Sequence, residues 1–179
     1  MLNKEDTGLI VVDIQGKLAS IVDDSEILIE NCSKLVQGAQ ALGLPIIWLE
    51  QNPEKLGSTV DSVAELMGEQ TPVVKYTFDG CNEPNFKHAL NEAQKHSWLV
   101  CGIEAHICVY QTATHLANLN FDVHVVSDCV SSRNINNKQL ALDKFCNERV
   151  KLTGLEMCLY ELVKDCRAPE FKLILSLIK

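Results

Sequence analysis

The sequence has no long apolar run and few basic residues. No stretch approaches the roughly 18 consecutive apolar residues that a membrane-spanning helix needs, so we predict no membrane span. Lys and Arg total 16 against 24 Asp and Glu, which gives a net charge of −8. Binding to nucleic acid needs clustered basic side chains that face the phosphates, and the sequence contains no such cluster. We therefore expect neither a membrane nor a nucleic acid as partner.

Paired cysteine and histidine motifs are also absent, although the chain contains eight cysteines. There is no C-x-x-C pair and no histidine pair at zinc-finger spacing, so neither a zinc site nor a disulfide framework is indicated. The opening stretch, MLNKEDTG, is polar and unlike a secretory signal, which predicts a cytoplasmic protein with reduced thiols. Cys101, Cys129 and Cys158 lie in or beside apolar runs and are expected to pack in the core.

What the sequence does contain is a regular alternation of strands and helices, without internal repeats or linkers. The apolar runs predict strands at 9–14, 45–49, 73–78, 97–103, 121–127 and 150–153. Helical patterns lie between and after them, at 26–42, 60–67, 84–95, 106–116, 137–147, 154–165 and 168–177. Such alternation is typical of right-handed crossovers and a mostly parallel sheet. We predict one domain over residues 1–179, folded as a three-layer α/β/α sandwich.

Three reactive side chains, Asp13, Lys75 and Cys108, lie at or just beyond predicted strand ends. In parallel sheets the site lies outside the carboxyl ends of the strands. Cys108 falls in the first turn of a helix, where free N–H groups and the helix dipole favour a thiolate, so its pKa is expected to be lowered. Gly102 permits a close backbone approach or a positive φ just before this turn. Each side chain also has a purely structural interpretation: a buried cysteine, a loop-capping aspartate and an edge lysine.

Three ordered motifs are more specific than these single residues. They are VVDIQ at 11–15, VVK at 73–75 and CGIEAHICVYQTA at 101–113. Together they resemble the isochorismatase-like cysteine hydrolases, the superfamily of nicotinamidases, carbamoylsarcosine amidohydrolases and isochorismatases. The resemblance implies that fold and a catalytic triad of Asp13, Lys75 and Cys108.

The resemblance also implies roles for neighbouring residues and an oligomeric state. It implies a cis peptide bond between Ile103 and Glu104, with the N–H groups of Glu104 and Cys108 forming an oxyanion hole. Gln15 corresponds to the glutamine of the family's DxQ motif and is expected to line or support the site, and His106 is a candidate for substrate contact or for a local hydrogen bond. A homo-oligomer is implied as well.

Two departures from the family pattern limit the substrate. Nicotinamidases carry an Asp/His metal cluster after the second strand, whereas residues 50–53 here are Glu, Gln, Asn and Pro. We therefore predict no metal or other cofactor and do not expect nicotinamide as substrate. Many relatives have Asn-Asp-Phe after the DxQ motif, and this chain has Gly-Lys-Leu. These differences favour the branch of isochorismatase-domain proteins whose substrates are generally undefined.

The leading hypothesis is a hydrolase that cleaves an amide or related C–N bond of a small molecule through a thioester on Cys108. Asp13 would act as general base and then acid, and Lys75 would order the charges. One alternative is an isochorismatase-type lyase or ether hydrolase, which need not use the cysteine as nucleophile. Another is a binding or redox-sensing protein on the same fold.

Overall fold

The computed structural model describes all residues, 1–179, and arranges six strands in one parallel sheet. The strands are β1 (Thr7–Val12), β2 (Ile46–Gln51), β3 (Val73–Lys75), β4 (Ser97–Ile103), β5 (Asp122–Ser131) and β6 (Val150–Thr153). Their order across the sheet is β3-β2-β1-β4-β5-β6. The chain thus builds the sheet outward from β1 in one direction, then returns to the other side of β1 with β4. The ligand site of such a sheet is expected at this reversal point, between β1 and β4.

Nine α-helices connect and flank the strands. They are α1 (Gly16–Ile21), α2 (Ser25–Ala41), α3 (Pro53–Leu56), α4 (Asp61–Ala64), α5 (Pro84–Ala93), α6 (Tyr110–Asn118), α7 (Ile135–Phe145), α8 (Leu155–Val163) and α9 (Phe171–Ile178). Short 3₁₀ turns occupy Glu65–Met67 and Gly80–Asn82, and Ala105–Val109 forms a π-helical turn. None of the helices has the length and apolar character needed to span a membrane.

Two apolar cores lie on opposite faces of the sheet. Along β1 the side chains of Leu9 and Val11 enter a core of 28 buried residues, together with side chains from α2, α8 and α9. Ile10 and Val12 point the other way, into a core of 21 buried residues that α5, α6 and α7 cover. Because successive strand residues face opposite sides, a strand covered on both faces is apolar throughout. The three-layer α/β/α fold predicted from the sequence is confirmed.

The cysteines of the core are free thiols. Cys32, Cys101, Cys129 and Cys158 are all buried in the core that α2 and α8 cover, and no disulfide is present. Cys32 donates to the Cys129 carbonyl oxygen at 3.3 Å, and Cys158 donates to the Leu155 carbonyl oxygen at 3.3 Å. The packing role predicted for Cys101, Cys129 and Cys158 therefore fits their positions.

Several elements differ from the prediction. Helices α1 and α3 were not predicted. Strand β1 begins and ends two residues earlier than predicted, and β3 ends at Lys75, three residues before its predicted end at 78. Strand β5 continues to Ser131, four residues beyond its predicted end at 127. The helix predicted at 106–116 is instead the π-helical turn followed by α6, which begins at Tyr110. In this turn the Val109 N–H reaches the Glu104 carbonyl oxygen five residues earlier, at 3.3 Å.

Candidate active site

A cavity of about 270 Å³ opens at the carboxyl ends of the strands, where the strand order reverses. Asp13 follows β1 directly, Lys75 is the last residue of β3, and Cys108 lies in the π-helical turn after β4. π-Helical turns occur often at functional sites. Ten residues line the cavity: Asp13, Leu18, Gln51, Leu56, Phe78, Ile103, Glu104, Ile107, Cys108 and Arg133.

Asp13 in the cavity wall forms a buried ion pair with Lys75, which lies behind the wall. The Lys75 Nζ lies 2.7 Å from Asp13 Oδ2, and the two side chains are 0% and 2% exposed. The same ammonium donates to Gln51 Oε1 at 2.8 Å and approaches the carbonyl oxygens of Thr77 and Phe78 at 3.3 and 3.4 Å. These acceptors fix the position of a cation that water does not reach.

The Asp13 carboxylate is held at one oxygen and free at the other. Burial raises the pKa of this carboxyl, and the charge of Lys75 opposes the rise without cancelling it. Oδ1 is buried and has no hydrogen-bond partner. The backbone of Asp13 adopts a left-handed conformation with φ of 52°. A carboxylate with a raised pKa and an unused acceptor oxygen is suited to receive a proton.

Cys108 lines the same cavity and is 7% exposed. Burial raises the pKa of its thiol to about 12, the negative charge of Asp13 adds to the rise, and Lys75 lowers it. The lowered pKa expected from a helix N-terminus is therefore wrong, because burial of the thiol and the charge of Asp13 both raise its pKa. With a pKa of about 12 the Cys108 thiol is protonated near neutral pH, so thiolate formation requires a base to take the proton, and Asp13 lies beside the thiol.

The backbone before Cys108 has an unusual conformation beside the cavity. The peptide bond between Ile103 and Glu104 is cis. Gly102 has φ of +121°, and a Cβ there would lie 2.0 Å from the Val12 carbonyl oxygen, so this position requires glycine. The Glu104 N–H donates to no acceptor within the protein. An unused donor of this kind is what an oxyanion site needs.

Gln15 supports the cavity without lining it. Its Oε1 accepts from the Gln51 N–H at 2.6 Å, and its Nε2 donates to the carbonyl oxygens of Gln51 and Gly57 at 3.1 and 2.6 Å. The side chain is fully buried, and its amide is used by these three backbone bonds. Gln15 therefore holds the end of β2, and the neighbouring Gln51 side chain faces Lys75 and the cavity.

His106 also lies outside the cavity wall. Its Nδ1 is 2.9 Å from Ser132 Oγ, so the ring is bonded to the loop that follows β5. The hydrogen bond to Ser132 fits the structural possibility for this histidine, and its contact with substrate stays a prediction.

The comparisons with known proteins agree with this geometry. The family model described as the isochorismatase domain matches residues 7–156, which include Asp13, Lys75 and Cys108. The chain belongs to the isochorismatase family.

One similar sequence and two similar structures illustrate the relatives of this chain. A secreted isochorismatase effector of Phytophthora sojae is 35% identical over 177 residues, covering 96% of this chain and 83% of that protein. The structure of a MAR1 ribonuclease from Caenorhabditis elegans is 34% identical, with a TM-score of 0.92 over 99% of this chain and 91% of that one. The YcaC gene product of Escherichia coli, described as an octameric hydrolase of unknown specificity, is 22% identical, with a TM-score of 0.93 over 98% and 89% of the two chains. This last likeness shows the fold alone.

No metal-ligand cluster occurs after β2 in this isochorismatase-family chain. The Glu50 carboxylate accepts from the Thr59 N–H and hydroxyl at 2.6 and 2.8 Å, and Gln51 is bonded to Lys75. Elsewhere, Asp79, Cys81 and His115 place one potential ligand atom each within 4.8 Å of one another.

Internal hydrogen bonds account for these three residues. Asp79 Oδ2 is 2.6 Å from His115 Nδ1, and Cys81 donates to the Thr112 carbonyl oxygen at 3.9 Å. Burial raises the pKa of Cys81 to about 12, and the charge of Asp79 adds to the rise. The group therefore ties the loop after β3 to α6, and we assign it no metal.

Three groups at the cavity were not predicted from the sequence: the side chains of Gln51 and Arg133 and the carboxylate of Glu104. Arg133 lies in the polar loop after β5, and its Nε donates to Glu104 Oε1 at 3.0 Å. One signal was available for this residue: a charged side chain soon after the end of a parallel strand lies at the same edge as the site. The signal for Gln51 was its position at the end of β2.

Proposed function

We propose that this isochorismatase-family chain is a cysteine hydrolase that cleaves an amide or related C–N bond of a small molecule. The observation that carries the proposal is that Asp13 and Cys108 line one cavity, with Lys75 paired to Asp13 at 2.7 Å from the buried side. A thiol beside a carboxylate with a free oxygen is the arrangement that a base-assisted nucleophile needs.

The first half of the reaction transfers the acyl group to sulfur. Cys108 Sγ attacks the carbonyl carbon while its proton passes to Asp13, and the electron pair of the C=O bond moves to oxygen. When the tetrahedral intermediate collapses, the C–N bond breaks and Asp13 returns the proton to the departing nitrogen. The site carries one negative charge at a time, on Asp13 before the proton is transferred and on the substrate oxygen after it.

The second half releases the acid. Water attacks the thioester, Asp13 takes its proton, and the C–S bond breaks as the proton returns to sulfur. In both halves the carbonyl oxygen becomes an oxyanion, for which we propose the N–H groups of Glu104 and Cys108 as donors. Removing one such donor in other enzymes costs about 10²–10³-fold in rate.

The proposed substrate is a small molecule, and we propose no cofactor and no nucleic acid. The cavity volume of about 270 Å³ suits part or all of a metabolite. A net charge of −8 disfavours phosphate backbones. Because one similar structure is described as a ribonuclease, RNA belongs in the substrate panel as a tested alternative.

The decisive experiment is turnover and intact mass across a panel of amides, carbamoyl compounds and esters, with isochorismate and an RNA included. We expect an acyl adduct on Cys108 and no turnover in Cys108→Ala. The matched control is Cys166→Ala, because Cys166 is an exposed thiol outside the cavity. Undiminished amide hydrolysis in Cys108→Ala refutes the mechanism.

Other results of the same experiment identify the alternatives. Turnover that survives Cys108→Ala and is lost in Asp13→Ala indicates an isochorismatase-type lyase or ether hydrolase. Cleavage of RNA alone indicates a nuclease. The absence of any adduct and any turnover across the panel favours a binding or redox role.

Three further properties are part of the proposal. We propose a homo-oligomer, in keeping with the octameric description of the YcaC product and with exposed apolar side chains such as Tyr76 and Met157, which are 66% and 65% exposed. Light scattering after size exclusion tests the assembly. We also propose one domain over residues 1–179 and a cytoplasmic location, although one relative is described as secreted. Fractionation of the native source tests the location.

A further inference from the structure

The loop after β3, residues 76–83, borders the cavity and connects it to helix α6. The Phe78 side chain of this loop lines the cavity and is 56% exposed. The carbonyl oxygens of Thr77 and Phe78 accept from Lys75 Nζ at 3.3 and 3.4 Å. The loop therefore supplies one wall of the cavity and two of the acceptors that hold the buried cation.

Two side chains of α6 hold this loop in place. Thr112 Oγ1 accepts from the Gly80 N–H at 2.9 Å. His115 Nδ1 lies 2.6 Å from Asp79 Oδ2, and Nδ1 is the donor because a carboxylate only accepts. Residues three apart on a helix are neighbours on one face, so both bonds come from the same side of α6. These two bonds are termed the α6 anchor.

Asp79 transmits the hold of the α6 anchor to the cavity wall. Its Oδ1 accepts from the Cys81 N–H at 2.9 Å, and its carbonyl oxygen accepts from the Thr77 hydroxyl at 2.8 Å. These bonds stiffen the loop on both sides of Asp79. Because consecutive Cα atoms are about 3.8 Å apart, Phe78 must follow any displacement of Asp79. The position of this wall thus depends on His115, which itself lies outside the cavity.

Helix α6 also follows the π-helical turn that carries Cys108. The helix therefore sets the reacting thiol near its start and the wall of the cavity from its last turn. We infer that His115 is a positioning residue, which through Asp79 holds Phe78 against the cavity and limits the size of the molecule that reaches Cys108. The consequence for substrate size rests on the proposed function, whereas the positioning is testable without turnover.

Two substitutions of His115 separate this role from a general effect on helix stability. In His115→Asn the amide nitrogen is attached to Cγ, as Nδ1 is in histidine, so it can still donate to Asp79. In His115→Gln the amide nitrogen is attached to Cδ, one carbon further from the helix. Glutamine is the better helix former of the two, so a loss of helix stability alone would harm the asparagine variant more. His115 is 34% exposed, so neither replacement opens an apolar core.

The readout is the alkylation rate of individual cysteines, measured by peptide mass. Iodoacetamide is compared with the bulkier N-phenyliodoacetamide, in a background where the exposed Cys146 and Cys166 are changed to Ser. Cys108 reports access to the cavity, and the ratio of its two rates cancels changes in the thiol itself. Cys81, which is buried in the loop, reports release of the α6 anchor. Cys129, which is buried in the core on the other face of the sheet, reports opening of the whole fold.

We expect His115→Gln to raise the rate at Cys81 about tenfold or more, the effect of losing one bond to a charged group. The ratio of the bulky to the small reagent at Cys108 should rise with it, while Cys129 stays protected. His115→Asn should behave like the parent protein. Phe78→Ala should raise the same ratio at Cys108 and leave Cys81 protected, because it shortens the wall without releasing the anchor.

Four outcomes overturn the inference. The first is an unchanged ratio at Cys108 in His115→Gln, and the second is an unchanged ratio in Phe78→Ala, since the loop then does not limit access to the thiol. The third is an effect of His115→Asn as large as that of His115→Gln. The fourth is an equal rise at Cys129, which makes His115 a support of the whole fold. Failure of the proposed function is a separate result, because it appears as turnover retained in Cys108→Ala whatever the alkylation ratio.

Discussion

Replacing Asp13 by Asn should make Cys108 more reactive toward an alkylating agent while abolishing turnover. In the parent protein, burial and the Asp13 charge raise the pKa of the Cys108 thiol to about 12. The substitution removes the negative charge and leaves Lys75, whose charge lowers the thiol pKa. Because the base is lost, the acyl transfer proposed above should stop.

The size of the effect follows from the charge removed. A unit charge about 4 Å away is worth about 4 kcal/mol at an effective dielectric constant of 20. One pKa unit corresponds to about 1.4 kcal/mol. Burial persists in the variant and still opposes the thiolate, so we expect only part of this energy to appear. The pKa of the Cys108 thiol should fall by at least about one unit. Below the pKa, each unit gives about tenfold more thiolate and correspondingly faster alkylation.

The assay is the iodoacetamide rate at Cys108 as a function of pH, with Cys146 and Cys166 changed to Ser. Asp122→Asn is the matched control, because Asp122 begins β5 at the opposite end of the strands. Slower alkylation of Asp13→Asn near neutral pH refutes the reasoning, since it means that Asp13 activates the resting thiol more than its charge suppresses it. Unchanged turnover refutes the assignment of the base.

Further predictions concern stability and can be checked by thermal or denaturant unfolding. Lys75→Met should destabilise the fold by about 3–5 kcal/mol, because Asp13 remains buried without its cation. Gly102→Ala should destabilise it by several degrees or more in Tm, because a Cβ would lie 2.0 Å from a carbonyl oxygen of β1 and φ is +121°. Burial raises the pKa of Cys129 to about 11 and of Cys158 to about 12. The protonated Cys129 and Cys158 thiols stabilise the fold fully below the unfolded-state thiol pKa, and this stabilisation is lost as pH rises toward their folded-state pKa values. The free energy of unfolding should therefore fall above about pH 9 by roughly 1.4 kcal/mol per pH unit for each thiol. Cys158→Ala should reduce that slope.

The fold was predictable because the apolar pattern is strong. Strands at 97–103 and 150–153 have the predicted bounds, since buried parallel strands are continuous apolar runs with clear edges. Helix α1 was not predictable, because a six-residue segment shows less than two turns of any period. Strand β5 extends through Ser127 and Asp128, polar residues that resemble the start of a loop.

The candidate site was predictable in its residue types and not in its electrostatics. The positions of Asp13, Lys75 and Cys108 follow from strand ends and family motifs. The thiol pKa does not, because it depends on a carboxylate distant in sequence and on burial, neither of which is visible in the helix pattern. Arg133 was missed because its role depends on Glu104, 29 residues earlier.

The left-handed backbone at Asp13, with φ of 52°, limits which residues that position accepts. Aspartate and asparagine are the non-glycine residues that tolerate this conformation best, because their short side chains bond locally. Their codons differ by one nucleotide. A single mutation can therefore remove the proposed base and preserve the backbone, the cavity and the surface of the protein. We therefore expect natural members of the isochorismatase family with Asn at this position to fold, to lack hydrolytic activity and to retain ligand binding.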